Sequence, residues 1–496
     1  MSRVAEQIHT ALEEDLPSGW SLATIECLVG EEGVFVDGDW VESKDQDPTG
    51  DVRLIQLADI GDGEYRNRSD RFLTHEKALE LGCTFLKKGD VLIARMPDPL
   101  GRACIFPDDR KKSVTVVDVA IVRSGSGEFN HRWLMYFINA PAFRASVASL
   151  QSGSTRKRIS RGNLARISLP VPLRSQQDGI VAEIEKQFSR LDEAVATLKR
   201  VKANLKRYKA SVLKAAVESK LTEAWRKQHP NVEPASILLE RILTERRAKW
   251  NRAGNYREPA VPDTTGLPLL PNNWKWASLD QLLLNITDGD HQPPPQTDSG
   301  VPFLVIGNVR SGKLEFEDTR FVSRQYADAV NIFRKPTRGD ILYTLVGSFG
   351  IALRVDADRE FCIQRHIGVL RSHKLSPTSY LVHVLNSLFV FSQATNVATG
   401  TAQKTVPLAG LRRFSIPLAP LAEQQQIVAE VERRLSVIEE LEAAVQANLT
   451  RAERMRQSIL QQAFSGRLLS ASTRSPSLKT SKGIVAETSS FGSSIR

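Results

Sequence analysis

Three stretches of this chain carry residue types that could do chemistry. GNVRSGKL (307–314) has the G-x-x-x-x-G-K spacing of a phosphate-cradling loop, but Leu314 stands where a hydroxyl must hold magnesium. The LEFEDTRF that follows has no helical pattern with which to present N-terminal amides to phosphate. Pro97-Asp98 followed by Asp109-Arg110-Lys111 imitates the two carboxylates and lysine with which a nuclease holds a divalent metal and orients water. PDDRKK (107–112) lies between CIF and VTVV as a hairpin turn would, and the second half of the chain has nothing comparable. A nuclease centred on Asp98, Asp109 and Lys111 therefore stands as the alternative function. HQPPPQ (291–296) is faintly like the loop that amino-methyltransferases use, yet it lacks the aromatic that stacks on a flipped base. Ser-His-Asp, H-E-x-x-H and EF-hand patterns do not occur. Cys27, Cys83, Cys104 and Cys362 are scattered without C-x-x-C spacing, which predicts reduced structural thiols and no zinc site.

Residues suited to nucleic acid are more concentrated. GSTRKRISR (153–161) gathers Ser154, Thr155, Arg156, Lys157, Arg158 and Arg161, hydroxyl and cationic donors that fit phosphates and guanine edges. Its counterpart, GTAQKT (400–405), keeps the glycine and the hydroxyl and offers Thr401, Gln403 and Lys404. Asp37-Gly38-Asp39-Trp40 and Asp288-Gly289-Asp290-His291 read as turns with reachable side chains. Further candidates in the strands beyond them are Arg53 and Gln56, against Asn308 and Arg310. The formal charge of +10 favours a polyanionic partner.

The elements that must position these residues are written twice. Leu16-Pro17-Ser18-Gly19-Trp20 recurs as Leu270-Pro271-Asn272-Asn273-Trp274. KKGDVLIA (87–94) recurs as TRGDILYT (337–344), and LPVPLRSQQDGIVAEIE (169–185) as IPLAPLAEQQQIVAEVE (416–432). Order and spacing are kept, so each half is a globular block followed by a more uniform segment. Within the blocks, short apolar runs between Gly, Pro and Asp clusters predict strands, with one helix around 131–149 and one around 378–394. The fold class is α+β with mixed or antiparallel sheets.

The uniform segments carry apolar residues at steps of three and four, without an interior proline. They predict one helix from Ile180 to Val217, with Gly179 fraying or delaying its start, and another from Ala422 to Ser465. The expected coiled-coil core is Ile184, Phe188, Leu191, Val195, Leu198 and Leu205 in the first helix. In the second it is Val431, Leu435, Ile438, Val445, Leu449 and Ile459. Two matched stripes too long for one small domain prefer each other, and a pseudo-two-fold repeat makes them antiparallel. The expected layout is an N-terminal segment (1–15), a head (16–173), a long helix (174–218) and a charged helix with Pro-rich linker (219–268). A second head (269–420), a second long helix (421–469) and a disordered tail (470–496) follow. MSRVAEQIHTALEEDLPSGW has no apolar signal core and no apolar run is long enough to cross a bilayer, so a cytoplasmic location is expected.

Taken together, LPSGW/LPNNW, DGDWVESKDQ/DGDHQPPPQ, GSTRKRIS/GTAQKTV and the doubled SLPVPLRSQQDGIVAEIE/SIPLAPLAEQQQIVAEVE resemble the specificity subunit of a bacterial type I restriction-modification system. FSGRLL (464–469) resembles the end of that family's second helix, and the likeness covers about residues 16–469. The resemblance implies two target-recognition domains, each binding half of a bipartite asymmetric site on double-stranded DNA, with the helices as a ruler between them. It implies two methyltransferase (modification) subunits docked on the chain, and motor-nuclease (restriction) subunits joining for cleavage. S-adenosylmethionine, ATP and Mg are then expected on those partners and no cofactor on this chain, which is not an enzyme by itself. A coiled-coil adaptor with two protein-binding heads is the other alternative.

Overall fold

A computed structural model describes residues 16–97, 99–107, 111–125, 127, 129–154, 156–249, 256–291, 294–373, 375 and 378–469. The expected N-terminal segment and tail lie outside the described residues. The chain divides into two compact units, residues 1–198 with 447–496, and residues 199–446.

In the first unit, β1 (Ser21–Ala23) pairs antiparallel with β9 (Leu169–Val171), and α1 (Ile25–Val29) follows β1. A four-stranded antiparallel sheet has the order β2 (Val34–Asp37), β8 (Val119–Arg123), β5 (Val91–Ala94), β6 (Ala103–Ile105). A three-stranded sheet sets β3 (Val52–Ile55) between β4 (Phe72–Leu73), antiparallel, and β7 (Lys112–Thr115), parallel. Period two decides how the larger sheet is covered. Val91, Ile93, Ala120 and Val122 enter the core under α3 (His131–Ile138) and α4 (Pro141–Ser149). Leu92, Ala94, Val119 and Ile121 enter a separate cluster on the other face with Ile55, Ile60 and Phe106. Both faces are dry, which is why GDVLIA reads as an unbroken apolar run and not as strict alternation.

The second unit repeats this plan. β10 (Lys275–Ser278) pairs with β18 (Ser415–Leu418), and the four-stranded order is β11 (Leu283–Asp288), β17 (Ile367–Ser372), β14 (Ile341–Thr344), β15 (Ala352–Arg354). The small sheet holds β12 (Val301–Leu304) between β13 (Arg320–Val322) and β16 (Cys362–Ile363). Strand for strand, order and direction match the first unit.

Each single helix expected near the repeat's end is two. α3 and α4 break at Asn139, and α11 (Thr378–Leu385) and α12 (Leu388–Val397) break at Asn386. An asparagine at each break pairs with the sheet, and in the first unit Pro141 opens the next helix. Asn139 accepts from Ala103 N at 3.0 Å and donates to Ala103 O at 2.8 Å, and Asn386 makes the same pair with Ala352 at 3.0 and 2.8 Å. Each side-chain amide thus substitutes for a strand neighbour at the edge of its sheet.

The long helices are α6 (Arg174–Val217) and α14 (Leu421–Phe464), each 44 residues. α6 starts before Ile180, and Gly179 lies inside it, where Leu469 closes over the site of a missing Cβ. The doubled Gln explains why this junction is repeated. Gln177 is buried and donates to Pro172 O at 3.0 Å, and Gln424 is buried and donates to Ala419 O at 2.7 Å, tying each helix's first turns to the strand before it.

In the first unit the α6 residues run antiparallel to those of α14. Arg456 covers the Phe188 ring at 4.1 Å and pairs with Asp192, while Leu469 approaches Gly179. In the second unit Lys202 donates to Gln446 at 2.9 Å, and Val212, Leu213 and Ala216 share a cluster with Ile427 and Val431. Ile184, Phe188, Leu205, Val431, Ile438, Val445 and Ile459 are buried, whereas Leu191, Val195, Leu198, Leu435 and Leu449 are half-buried. Val201, Tyr208, Leu441 and Met455, on the same sequence stripe, are exposed. The covered line is therefore narrower than the stripe, and it steps by seven: 184, 191, 198, 205, 212 and 431, 438, 445, 452, 459. That is a coiled-coil seam.

The connector is not a loose linker. α7 (Glu223–Gln228) and α8 (Ala235–Ala248) build onto the second unit, with Ala235, Leu238, Leu239 and Ile242 in its core. Glu423, fully buried at the start of α14, accepts from Thr222 at 2.7 Å, Arg226 at 2.8 and 2.9 Å and Trp274 at 2.8 Å.

Candidate nucleic-acid interface

The two donor-rich loops are one structure made twice. Ser152 and Arg158 exchange both backbone hydrogen bonds at 2.8 Å, and Thr399 and Thr405 do so at 2.9 and 2.8 Å. The glycine after the first residue of each pair has positive φ, +92° at Gly153 and +98° at Gly400. A Cβ there would lie 2.3 Å from Arg156 O or 2.5 Å from Gln403 O, so only glycine closes the loop. Each hairpin is then fastened at the same point, by Ile159 N to Arg95 O at 3.0 Å and by Val406 N to Leu345 O at 2.8 Å. Ile159 and Val406 are buried anchors.

What the two hairpins present differs. Ser154, Arg156, Lys157 and Arg158 are exposed in the first, and Thr155 lies outside the described residues. The three cations make no ion pair with a described residue, and Arg161, exposed at the start of α5 (Arg161–Ala165), reaches Phe35 O at 3.3 Å. The second hairpin exposes Thr401, Gln403 and Lys404, a single cation. A fixed hairpin with exchangeable side chains is suited to reading different base edges.

The DGD repeats are something else. Gly38 and Gly289 sit where the chain crosses from one sheet to the other. A Cβ there would lie 2.3 Å from Val116 O or 2.2 Å from Ile363 O. Asp39 and Asp290 form equivalent parallel bridges to Val116 and Gln364. Their carboxylates turn inward: Asp37 pairs with Arg95 at 3.1 Å, Asp39 accepts from Thr84 N at 2.9 Å, and Asp290 accepts from the Tyr326 hydroxyl at 2.7 Å. Burial raises the carboxyls of Asp37 and Asp39 above the ordinary range. The fourth position is the accessible one, with Trp40 71% exposed. Trp40's counterpart, His291, meets Asp288 at 2.9 Å.

Two of the strand candidates are corrected. Arg53 is buried, its guanidinium bonded to Asn67 and Ser69 O, so it props an internal loop. Asn308 is buried, and its Oδ1 accepts from Val305 N at 3.0 Å. That is the job Asp59 does for Gln56 N at 2.8 Å in the first unit, so the true counterpart of Asn308 is Asp59. Gln56 is half-buried at the head of that turn, and Arg310 is exposed just past its own.

Of the enzyme-like stretches, the phosphate-loop imitation does not assemble. Residues 306–308 form one 3-10 turn and the next element is the strand β13, so no helix follows GNVRSGKL. Asp98, Asp109, Gln292 and Pro293 lie outside the described residues, and Lys111 sits 5.5 Å over the Phe72 ring. Among the described residues no three His, Cys, Asp or Glu side chains could hold a metal ion. Burial pushes the Cys83 and Cys104 thiols up to about 12 and that of Cys362 to about 11, leaving them inert.

Sequence reading missed a pair of matching grooves. In the first unit Lys88, Gly89, Pro107, His131, Arg132 and Arg174 line one of about 820 Å³. In the second, Arg338, Gly339, Asp356, Thr378, Ser379 and Gln425 line one of about 500 Å³. Their one signal was the doubled K/R-G-D at 88–90 and 338–340.

A family model described as the Type I restriction modification DNA specificity domain matches residues 292–451. The EcoBI type I restriction enzyme specificity subunit of Escherichia coli is 24% identical over 345 residues, which is 69% of this chain and 66%, just under two thirds, of that relative. The EcoEI specificity subunit of Escherichia coli is 21% identical over 495 residues, 87% of this chain and 80% of its own. A solved chain from a study of complex assembly and conformational transition of the type I R-M system has the same fold. Its TM-score is 0.60 at 18% identity, over 91% of this chain and 99% of that one. The doubled fold and the doubled hairpin thus go with a match to the specificity-domain model over residues 292–451 and with likeness to type I restriction enzyme specificity subunits over most of the chain.

Proposed function

We propose that this chain is the DNA-reading subunit of a type I restriction-modification complex. Each unit reads one half of a bipartite, asymmetric site in double-stranded DNA through its hairpin. The observation that carries this reading is the pair of equivalent, glycine-closed hairpins whose exposed side chains differ. A symmetric homodimer reads a palindrome because its symmetry maps onto the site. Two diverged copies in one chain keep the geometry and abandon the palindrome.

The chain performs no chemistry of its own in this scheme. Methyltransferase subunits supply S-adenosylmethionine and adenine methylation, and motor-nuclease subunits supply ATP- and Mg-dependent cleavage. Two copies of one methyltransferase need two copies of one docking surface, which the matching grooves beside Arg132 and Ser379 provide. The helices set head separation and with it the spacer.

Mapping methylated adenines in the host genome with and without this gene tests the proposal. One bipartite asymmetric motif losing its methylation on deletion is the expected outcome. An unchanged methylome, or DNA cleavage by the purified chain with magnesium alone, would refute it.

A further inference from the structure

The α6 residues of the second unit carry more positive charge than either hairpin. Between Lys199 and Val217 there are seven Lys and Arg residues and no acid. Taking the seam line Leu198, Leu205, Val212 as reference, five of the seven fall about 100–200° from it at about 100° per residue, on one flank and the back of the helix. They are Lys199, Arg200, Lys206, Arg207 and Lys214, all exposed. Arg200, Arg207 and Lys214 repeat every seven residues, so they form a row with a step of about 10 Å at 1.5 Å per residue. Lys199, Lys206 and Arg207 have no ion pair to a described residue, and Lys214 reaches only Glu218, at 3.7 Å.

The stripe is not part of the repeat. The positions 247 residues later are Gln446, Ala447, Glu453, Arg454 and Gln461, so four of the five cations have no cationic counterpart. A surface that docks two identical subunits must occur twice. This one occurs once, which suits a partner present once and uniformly anionic along its length.

We propose that Lys199, Arg200, Lys206, Arg207 and Lys214 form a sequence-independent track for the phosphates of the DNA spacer between the half-sites. The proposal rests on the DNA-reading function above. Cations on one flank release condensed counterions without reading bases, so they add affinity and salt dependence but no sequence preference. Long, exposed Lys and Arg stems can follow a backbone whose course shifts with sequence.

The test is the full chain, co-expressed with its methyltransferase subunit, carrying Lys199→Gln, Arg200→Gln, Lys206→Gln, Arg207→Gln and Lys214→Gln together. Glutamine keeps helix propensity, and thermal unfolding by circular dichroism checks that the helix persists. Affinity for a mixed-sequence duplex is measured by fluorescence anisotropy against salt. The expected result is binding weakened at least about tenfold at low salt, with a log K against log salt slope shallower by roughly 0.9 per lost contact. The methylated motif stays the same. If the parent complex binds DNA and the variant binds with an unchanged slope, the track is overturned while the reading function stands. Loss of methyltransferase co-purification with an unchanged slope also overturns it and makes the stripe a protein-docking face. If the parent binds no duplex at any salt, the reading function itself fails, and the track with it.

Discussion

At the scale of single residues, the hairpins combine one glycine that shapes the loop with several exposed side chains. Gly153→Ala and Gly400→Ala force a left-handed residue with a Cβ against a carbonyl oxygen, a cost of about 1–2 kcal/mol confined to an exposed loop. Each variant should leave the thermal unfolding temperature nearly unchanged and abolish methylation in cells, because half of a bipartite site no longer suffices. Arg156→Gln, Lys157→Gln and Arg158→Gln together should lower the salt slope of DNA binding by up to about 3. An unchanged slope would count against that hairpin. A third residue sets a pH limit. Burial, with Lys209 nearby, depresses His383 to about 4, and the Glu432 carboxylate at 4.0 Å is too exposed to offset it. The folded state therefore holds His383 neutral while the unfolded chain protonates it near 6.5. Stability is intact above pH 6.5 and falls progressively as pH drops from 6.5 toward 4, by as much as about 3 kcal/mol. In His383→Gln, urea unfolding should lose the part of the pH dependence that belongs to this window.

Elements show which parts of the fold could be read from sequence. The long helices could, because a stripe repeated over forty residues is a local signal that tertiary context cannot erase. The strands could, from their Gly-Asp and Pro boundaries. The break near Asn139 could have been read from Pro141, which cannot continue a helix, but the pairing of Asn139 with Ala103, 36 residues away, could not. Nor could the burial of Arg53, whose partners Asn67 and Ser69 come from a loop with no pattern. The hairpin was visible because it is doubled, while the grooves were not, because their walls come from several separate segments. The connector is the clearest case of contacts hidden from sequence. The motif FSGRLL (464–469) has an unrecognised twin in VESKLT (217–222), with Ser219 at φ +60° where Gly466 has +72°. That left-handed turn sends Thr222 and Arg226 to Glu423. The first copy has Gln176 at the equivalent place, so Glu423→Gln looks conservative. It should nonetheless leave Arg226 underpaired beside a buried amide and cost about 3 kcal/mol, read as an earlier urea midpoint. Arg226→Met with Glu423→Gln should recover much of the loss.

For the whole molecule, the division into units falls at related places, after Leu198 in α6 and after Gln446 in α14. Those are the points at which a change in helix length should alter spacing without touching either head. Four residues inserted after Thr197 alone lengthen one helix by about 6 Å and shift its seven-residue seam out of register. Genomic mapping of adenine methylation should then show a changed spacer or no methylation. An unchanged bipartite motif would refute the ruler.

The first unit is also discontinuous in sequence. Phe464 stacks edge-on with Phe137 at 5.0 Å and Trp133 at 6.3 Å, and Ile459, Leu460, Ala463 and Leu468 complete the same core. On the ribosome, residues 16–198 emerge first yet lack this wall until residues 447–469 have been made, whereas the second unit is one uninterrupted segment. Domains usually mature in the order of their synthesis. Here the order is reversed: the part made first must wait, with Trp133 and Phe137 uncovered, until the part made later is complete. A chain that ends before residue 447 therefore leaves Trp133 and Phe137 on an open apolar face, the kind of surface that chaperones and proteases act on.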